Sequence, residues 1–161
     1  MGEKKEGIAR KLGITVHSEE QALRCLDLYD FDSVLFTMYW VPGVLRGVGD
    51  KLAEIAKARN IGLLCMKVLT HRAWREGEIQ PADNRRWYRY VELGSPLALA
   101  VMKYCLSKGD ALVPPGNYKA FCYMLDHIDE AIANPLSQMD LEFLKEEVEK
   151  VKEDELQLIG I

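Results

Sequence analysis

The sequence has no long apolar run. Nothing in it approaches the roughly 20 consecutive apolar residues that span a bilayer, and the charged stretch Met1 to Arg10 has no hydrophobic segment behind it. A cytoplasmic protein without a membrane partner is therefore expected. Cysteine is scarce and scattered: four residues, at positions 25, 65, 105 and 122, form no C-x-x-C pair, and three of them sit inside apolar patterns. They read as reduced, buried small hydrophobes rather than as a disulfide framework or metal ligands. The three histidines are widely separated and have no acidic companions at metal-ligand spacing, so no metal centre is expected. Positive charge is not in excess either. Lys and Arg total 21 against 25 Asp and Glu, a net charge of −4, which gives no global field for holding nucleic acid or an anionic surface. Any anion site must be local.

What is present is ordinary for a folded chain: 161 residues, 48% hydrophobic and 29% charged, against norms of roughly 45–50% and roughly 25%. One domain over residues 1–161 is expected. A complete (β/α)8 barrel is excluded, since it typically needs about 250 residues.

Local patterns alternate strand and helix. Leu12 to Val16 is a short apolar run, and Ser18 with Gln21 forms an S-x-x-Q capping box that opens a helix. Ser33 to Tyr39 is β-rich and apolar on both faces, so a doubly buried strand is predicted. Pro42, Gly43, Gly47 and Gly49 mark Trp40 to Gly49 as a loop before a helix that Asp50 could cap and Asn60 ends. Ile61 to Lys67 is a third strand, followed by a polar and aromatic insertion over 70–94. Ser95-Pro96 supplies a cap and a first-turn proline for an apolar helix closed by Gly109. Ala111 to Pro114 is a fourth strand. Asn117 leads into an amphipathic helix, and Ser137 or Asp140 starts a charged terminal helix over 137–157. Four strand–helix units at these intervals suit right-handed crossovers and a parallel sheet. The first residues, Met1 to Lys11, read as the tail of a preceding helix, as though a larger pattern were entered partway.

Six segments, in order, resemble the aldo-keto reductase family. Gly7-Ile-Ala-Arg-Lys-Leu-Gly-Ile-Thr-Val-His-Ser18 is similar to its "G-x-x-R-x-x-G-x-S-x-H-S" segment, and Phe31-Asp-Ser-Val-Leu-Phe36 to its next strand. Ile61-Gly-Leu-Leu-Cys-Met-Lys-Val-Leu69 resembles "G-I-G-V-x-A-M-K-P-L", and Ser95 to Ser107 resembles "A-L-R-W-x-L-S". Val113-Pro-Pro-Gly-Asn117 looks like the "I-P-G" segment, and Pro135-Leu136-Ser137 like "P-L-T/S". The resemblance implies an α/β fold, a partial (β/α)8 TIM barrel equivalent to strands 5 to 8 plus a C-terminal helix. It further implies an NADP-dependent oxidoreductase acting on carbonyl compounds. The family's catalytic Asp, Tyr, Lys and His belong to the barrel's other half, so no catalytic residue can be assigned. Reduction is then expected only if another half supplies the acid. The alternative is a non-catalytic half-barrel that binds a nucleotide or serves as a scaffold.

For the cofactor, the resemblance points to Thr15, His17, Met66, Lys67, Gly116, Asn117 and Lys119. Departures accompany them: Val16 and Leu35 stand where many members have Asn and Gln, and Val68 replaces a usual Pro. Independently, a parallel αβ sheet places its site at the C-terminal ends of its strands, which selects His17, Tyr39, Trp40, Lys67, His71 and Pro115 to Asn117. Asn117 is a phosphate seat or a plain helix cap. Lys67 pairs with a phosphate or carboxylate, activates a tyrosine such as Tyr39, or merely snorkels. His17 serves a ligand or lies on a polar rim. Arg72, Arg75, Arg85, Arg86 and Arg89, interleaved with Trp74, Trp87, Tyr88 and Tyr90, could clamp an anionic substrate or nucleotide, or bury the barrel mouth. Four strands alone leave two open edges and an uncovered face on which Val34, Phe36, Leu64 and Met66 meet water. A homo-oligomer or a complementary half-barrel is the expected partner.

Overall fold

The computed structural model describes residue 7 and residues 9–82 and 86–154. Its centre is a parallel sheet in the order β1-β2-β3-β6, formed by β1 (Gly13–Val16), β2 (Ser33–Thr37), β3 (Gly62–Met66) and β6 (Ala111–Leu112). The crossovers are helical: α1 (Glu19–Leu28) joins β1 to β2, α2 (Trp40–Arg46) and α3 (Asp50–Ala58) join β2 to β3, and α4 (Pro96–Leu106) precedes β6. Two helices close the chain, α5 (Tyr118–Ala133) and α6 (Gln138–Glu149).

Capping sets several boundaries. The Ser18 side chain accepts from Gln21 N at the start of α1, and Asn117 Oδ1 accepts from Ala120 N at the start of α5. Ser137 and Asp140 exchange both bonds of a capping box ahead of α6, satisfying backbone donors that a helix start cannot pair internally. The N-cap of α3 is Gly49, so Asp50 is the first helical residue rather than the cap. The terminal helical pattern ends as α6 and a 3-10 turn at Lys152–Asp154; residues 155–157 of the predicted span lie outside the described residues. So do residues 1–6 and 8 of the predicted helix tail.

Two expected loops are structured. Trp40 to Arg46 is helical because its apolar side chains are wanted inside: Trp40, Val41, Pro42 and Gly43 are all buried. Gly43 is required there, since a Cβ would collide with the hydroxyl of Tyr104 on α4. The 70–94 insertion contains an antiparallel ribbon, β4 (Thr70–Ala73) with β5 (Tyr88–Tyr90). Trp40 Nε1 donates to Thr70 O at 2.9 Å, Tyr39 Oη donates to His71 O at 2.7 Å, and Val91 N donates to Leu69 O at 2.9 Å. These bonds pin the ribbon across the C-terminal ends of the strands.

The two sheet faces differ from expectation in parity. In the register Ile14↔Val34↔Leu63 and Val16↔Phe36↔Cys65, these residues share one face. Val34 and Phe36 are 0% and 1% exposed, so they do not meet water: the helices cover them. The other face carries Thr15, Leu35, Leu64 and Met66. Thr15 is exposed, the other three are only partly buried, and none joins the core cluster. Helix α4, apolar on nearly every side, packs against α5 and α6, as an all-round apolar helix must.

Candidate functional site

Three of the seven residues singled out by resemblance come together. Met66, Lys67 and Gly116 line one pocket of about 140 Å³ at the C-terminal ends of β3 and β6, together with Arg86, Tyr88 and Tyr90 from the ribbon. Lys67 leaves β3 with a left-handed backbone, φ 64°, and its carbonyl accepts from Thr70 N at 3.0 Å to close the turn into the ribbon. A non-glycine residue in that conformation costs on the order of 1 kcal/mol or more, and here the reversal swings the lysine side chain over the Tyr88 ring, 4.8 Å from its centroid. Lys67 Nζ also donates to the Tyr88 hydroxyl at 3.5 Å, a long contact.

Arg86 approaches from the opposite wall. A Cβ at position 116 would lie 2.6 Å from Arg86 Nη2, so the bare glycine lets the guanidinium sit close to the backbone at the entrance of α5, and a side chain there would displace it. The Lys67 ammonium is held below its ordinary pKa, first by burial and then by the Arg86 charge. Burial and the neighbouring Tyr88 push the Tyr90 phenol up to about 12, partly offset by Arg86. The pocket therefore combines two cations with the first turn of a helix of 16 residues. All three features favour an anion.

The other predicted residues stand apart. Asn117 caps α5 beside the pocket, and Lys119 is exposed on its first turn. Thr15 and His17 belong to the far edge of the sheet, two strands from β3 or roughly 10 Å at ordinary strand spacing. His17 is exposed, and its Nδ1 is 2.8 Å from Thr37 Oγ1.

Two alternatives left open by the sequence are decided. Tyr39 and Trp40 are core residues at 2% and 0% exposure, and the Tyr39 hydroxyl is engaged by His71 O, so Tyr39 is not an acid beside Lys67. The aromatic neighbour of that lysine is Tyr88. Nor do the insertion's arginines form one clamp. Arg72 binds Glu78 through both guanidinium nitrogens at 2.8 and 2.7 Å, Arg89 joins the same carboxylate at 2.9 Å, and Arg75 pairs with Asp154 at 2.6 Å. Hydrogen bonds from Arg72 and from Arg75 N draw the Glu78 carboxyl down to about 2. His71, stacked on Trp40, is pulled down to about 4 by burial and the surrounding arginines. Arg85 and Asp83 lie outside the described residues.

Sequence reasoning placed Arg86, Tyr88 and Tyr90 in a generic basic and aromatic insertion. The signal that could have separated them is the period-2 order of Trp87-Tyr88-Arg89-Tyr90, which puts both tyrosines on one face of a strand. Among the described residues no group of three or more His, Cys, Asp or Glu side chains could hold a metal ion, and no helix is long and apolar enough to cross a membrane.

No protein-family model matches the sequence, and no curated protein matches it. Among solved structures the chain is similar to the aldo-keto reductase AKR11C1 from Bacillus halodurans, a holo form, with a TM-score of 0.55 and 15% sequence identity over 89% of this chain and 50% of that one. The chain thus spans about half the length of that structure, and the likeness is one of fold: an α/β arrangement with a four-stranded parallel sheet, as in part of an aldo-keto reductase.

Proposed function

We propose that this chain is the nucleotide-binding half of an aldo-keto-reductase-like oxidoreductase. In this reading it is a partial (β/α)8 barrel that holds NADP and reduces small carbonyl compounds only with a complement that brings the proton donor. The observation that carries the reading is the convergence of Lys67 and Arg86 on the entrance of α5 at Gly116. The residues fit a phosphate group: two cations, a glycine that admits close approach, and first-turn N–H groups at a helix start. At about 140 Å³ the pocket is smaller than the roughly 300–1,000 Å³ that enclose a whole ligand. It takes one phosphate, and the remainder of a dinucleotide extends across the C-terminal ends of the strands toward His17.

Lys67 and Arg86 neutralise the phosphate charge, while Asn117 holds the first turn of α5 in place through Ala120 N. The bonds from Trp40 and Tyr39 fix β4, and through its pairing with β5 they hold the buried Tyr88 at the pocket, while Arg86 stays exposed at its mouth. When bound, NADPH supplies hydride to a carbonyl carbon, and an acid must protonate the developing alkoxide. The resemblance offers no counterpart of that acid in this sequence, so binding without turnover is the expected behaviour of the chain by itself.

Calorimetric titration with NADPH, paired with a carbonyl-reduction assay, tests this. Saturable binding is expected, weakened at least about tenfold in Arg86→Ala, a loss of about 1.4 kcal/mol, with no turnover. Turnover by the chain alone would remove the need for a complement. Absence of binding would leave the scaffold reading.

A further inference from the structure

The two ends of the sheet carry different surfaces that match each other. At the β1 end, α1 packs on α3 along Glu19, Leu23 and Asp27: Glu19 Oε1 accepts from Gly49 N and Leu52 N at 3.1 Å each, and Asp27 pairs with Arg59. Its opposite side, by helical spacing, presents Cys25 and Leu28, bordered by Arg24, and the extended C-cap residue Tyr29 follows them. Leu28 is 73% exposed and Tyr29 50%. At the β6 end, α5 buries Ala120, Met124 and Ala131, yet carries a second apolar stripe of Tyr118, Phe121, Leu125 and Ile132 at spacings of three, four and seven. Tyr118 is 79% exposed, Leu125 57% and Ile132 60%, and the stripe is bordered by Asp126 and Asp129. An amphipathic helix covering one side of a sheet needs a single apolar stripe. Between the two ends lies the face of Leu35, Leu64 and Met66, left out of the core.

We infer that these surfaces are two parts of one self-complementary interface, and that two copies of this chain close an eight-stranded barrel, the β1–α1 end of each on the β6–α5 end of the other. The occupant follows from the match. The α5 stripe meets apolar Cys25, Leu28 and Tyr29, and Asp126 and Asp129 meet the Arg24 border, so both sides of the contact are supplied by the same sequence. A half-turn lets both ends of each copy pair within a closed dimer, whereas other rotations give larger rings or, where they do not close, filaments. Four strands from each copy give eight, the number at which a barrel interior is just filled by side chains. Leu35, Leu64 and Met66 become that interior. The inference rests on reading the sheet as half a barrel and is independent of nucleotide binding; in the dimer the second copy takes the place of a complement and brings no proton donor, so the dimer is without turnover.

Size-exclusion chromatography with light scattering on the full chain, with bismaleimide crosslinking of a mixture of isotopically light and heavy protein, tests it. The expected mass is twice 18.3 kDa, and the expected crosslink joins Cys25 of one copy to Cys122 of the other; Cys65 and Cys105 are buried and their thiols are pushed up in pKa, so they stay unlabelled. Leu125→Glu, at an exposed position, is expected to keep its helical circular dichroism and fall to the single-chain mass. A single-chain mass for the unmodified protein throughout the micromolar range overturns the inference, as does a dimer that Leu125→Glu leaves intact and that gives no Cys25–Cys122 crosslink. A monomer that binds NADPH refutes the dimer alone, and a dimer that does not bind it refutes the nucleotide reading alone.

Discussion

The two faces of the four-stranded sheet are made by alternate residues of the same strands, yet they have opposite fates. Leu63 and Leu64 are adjacent in β3 and identical in chemistry. Leu63 is 1% exposed beneath the helices and belongs to the core, while Leu64 is half-buried and does not. Apolar character therefore does not measure a residue's contribution to the folding of this chain. The helix-covered face stabilises the single chain, and the other is an apolar surface outside the core cluster.

The largest expected effect separates the leucines. Leu63→Ala should cost about 2–5 kcal/mol, since the surrounding core cannot relax fully into the vacated space. Leu64→Ala should cost less than about 1 kcal/mol in a single chain, because its methyl groups are already partly in water. Denaturant unfolding measured at low protein concentration, or in a Leu125→Glu background, reads both. Equal losses would mean that the two faces are equally packed.

Acidification should produce a smaller, two-part effect that loosens the ribbon and leaves both faces of the sheet unchanged. The His71 pKa falls from an ordinary 6.5 to about 4 through burial and nearby arginines. The unfolded chain therefore takes up that proton first, and stability declines as pH falls from 6.5 toward 4. The Glu78 pKa falls from an ordinary 4.5 to about 2 through its bonds to Arg72 and Arg75 N. Its contribution, complete above 4.5, is lost as pH drops toward 2. Thermal midpoints followed by calorimetry should show both windows, with His71→Gln flattening the upper one and Glu78→Gln the lower.

Much of the fold was legible because its signals are local. Ser18, Asn117 and Ser137 act at helix starts as their spacing indicates. The misread segments are governed by tertiary contacts. Pro42 and Gly43 read as loop residues, but they belong to a helix that buries Trp40 and Val41 in the core, and Gly43 is there because Tyr104 leaves no room for a Cβ. Face parity failed for a different reason: Ser33 to Tyr39 is too uniformly apolar for periodicity to reveal which residues point where. Of the pocket's residues, Lys67 and Gly116 could be found because they stand at a strand end and a helix start, and Met66 only through the resemblance to aldo-keto reductases. Tyr88 reaches it only through the register of the ribbon, which pairs Tyr88 with Ala73 and Arg89 with Arg72, and Arg86 arrives two residues ahead of β5. Glu78 diverts the remaining arginines, a competition that a count of basic residues does not reveal.

The central claim is that the face of Leu35, Leu64 and Met66 is a covered interior in the working molecule and not a tolerated surface. Sedimentation equilibrium of the unmodified chain beside Leu64→Glu tests it most directly. Twice 18.3 kDa is expected for the first and a folded 18.3 kDa species for the second, since a carboxylate in a closed barrel would be buried without a partner. A Leu64→Glu protein that sediments as the unmodified chain does would show that Leu64 faces solvent throughout and would contradict the account.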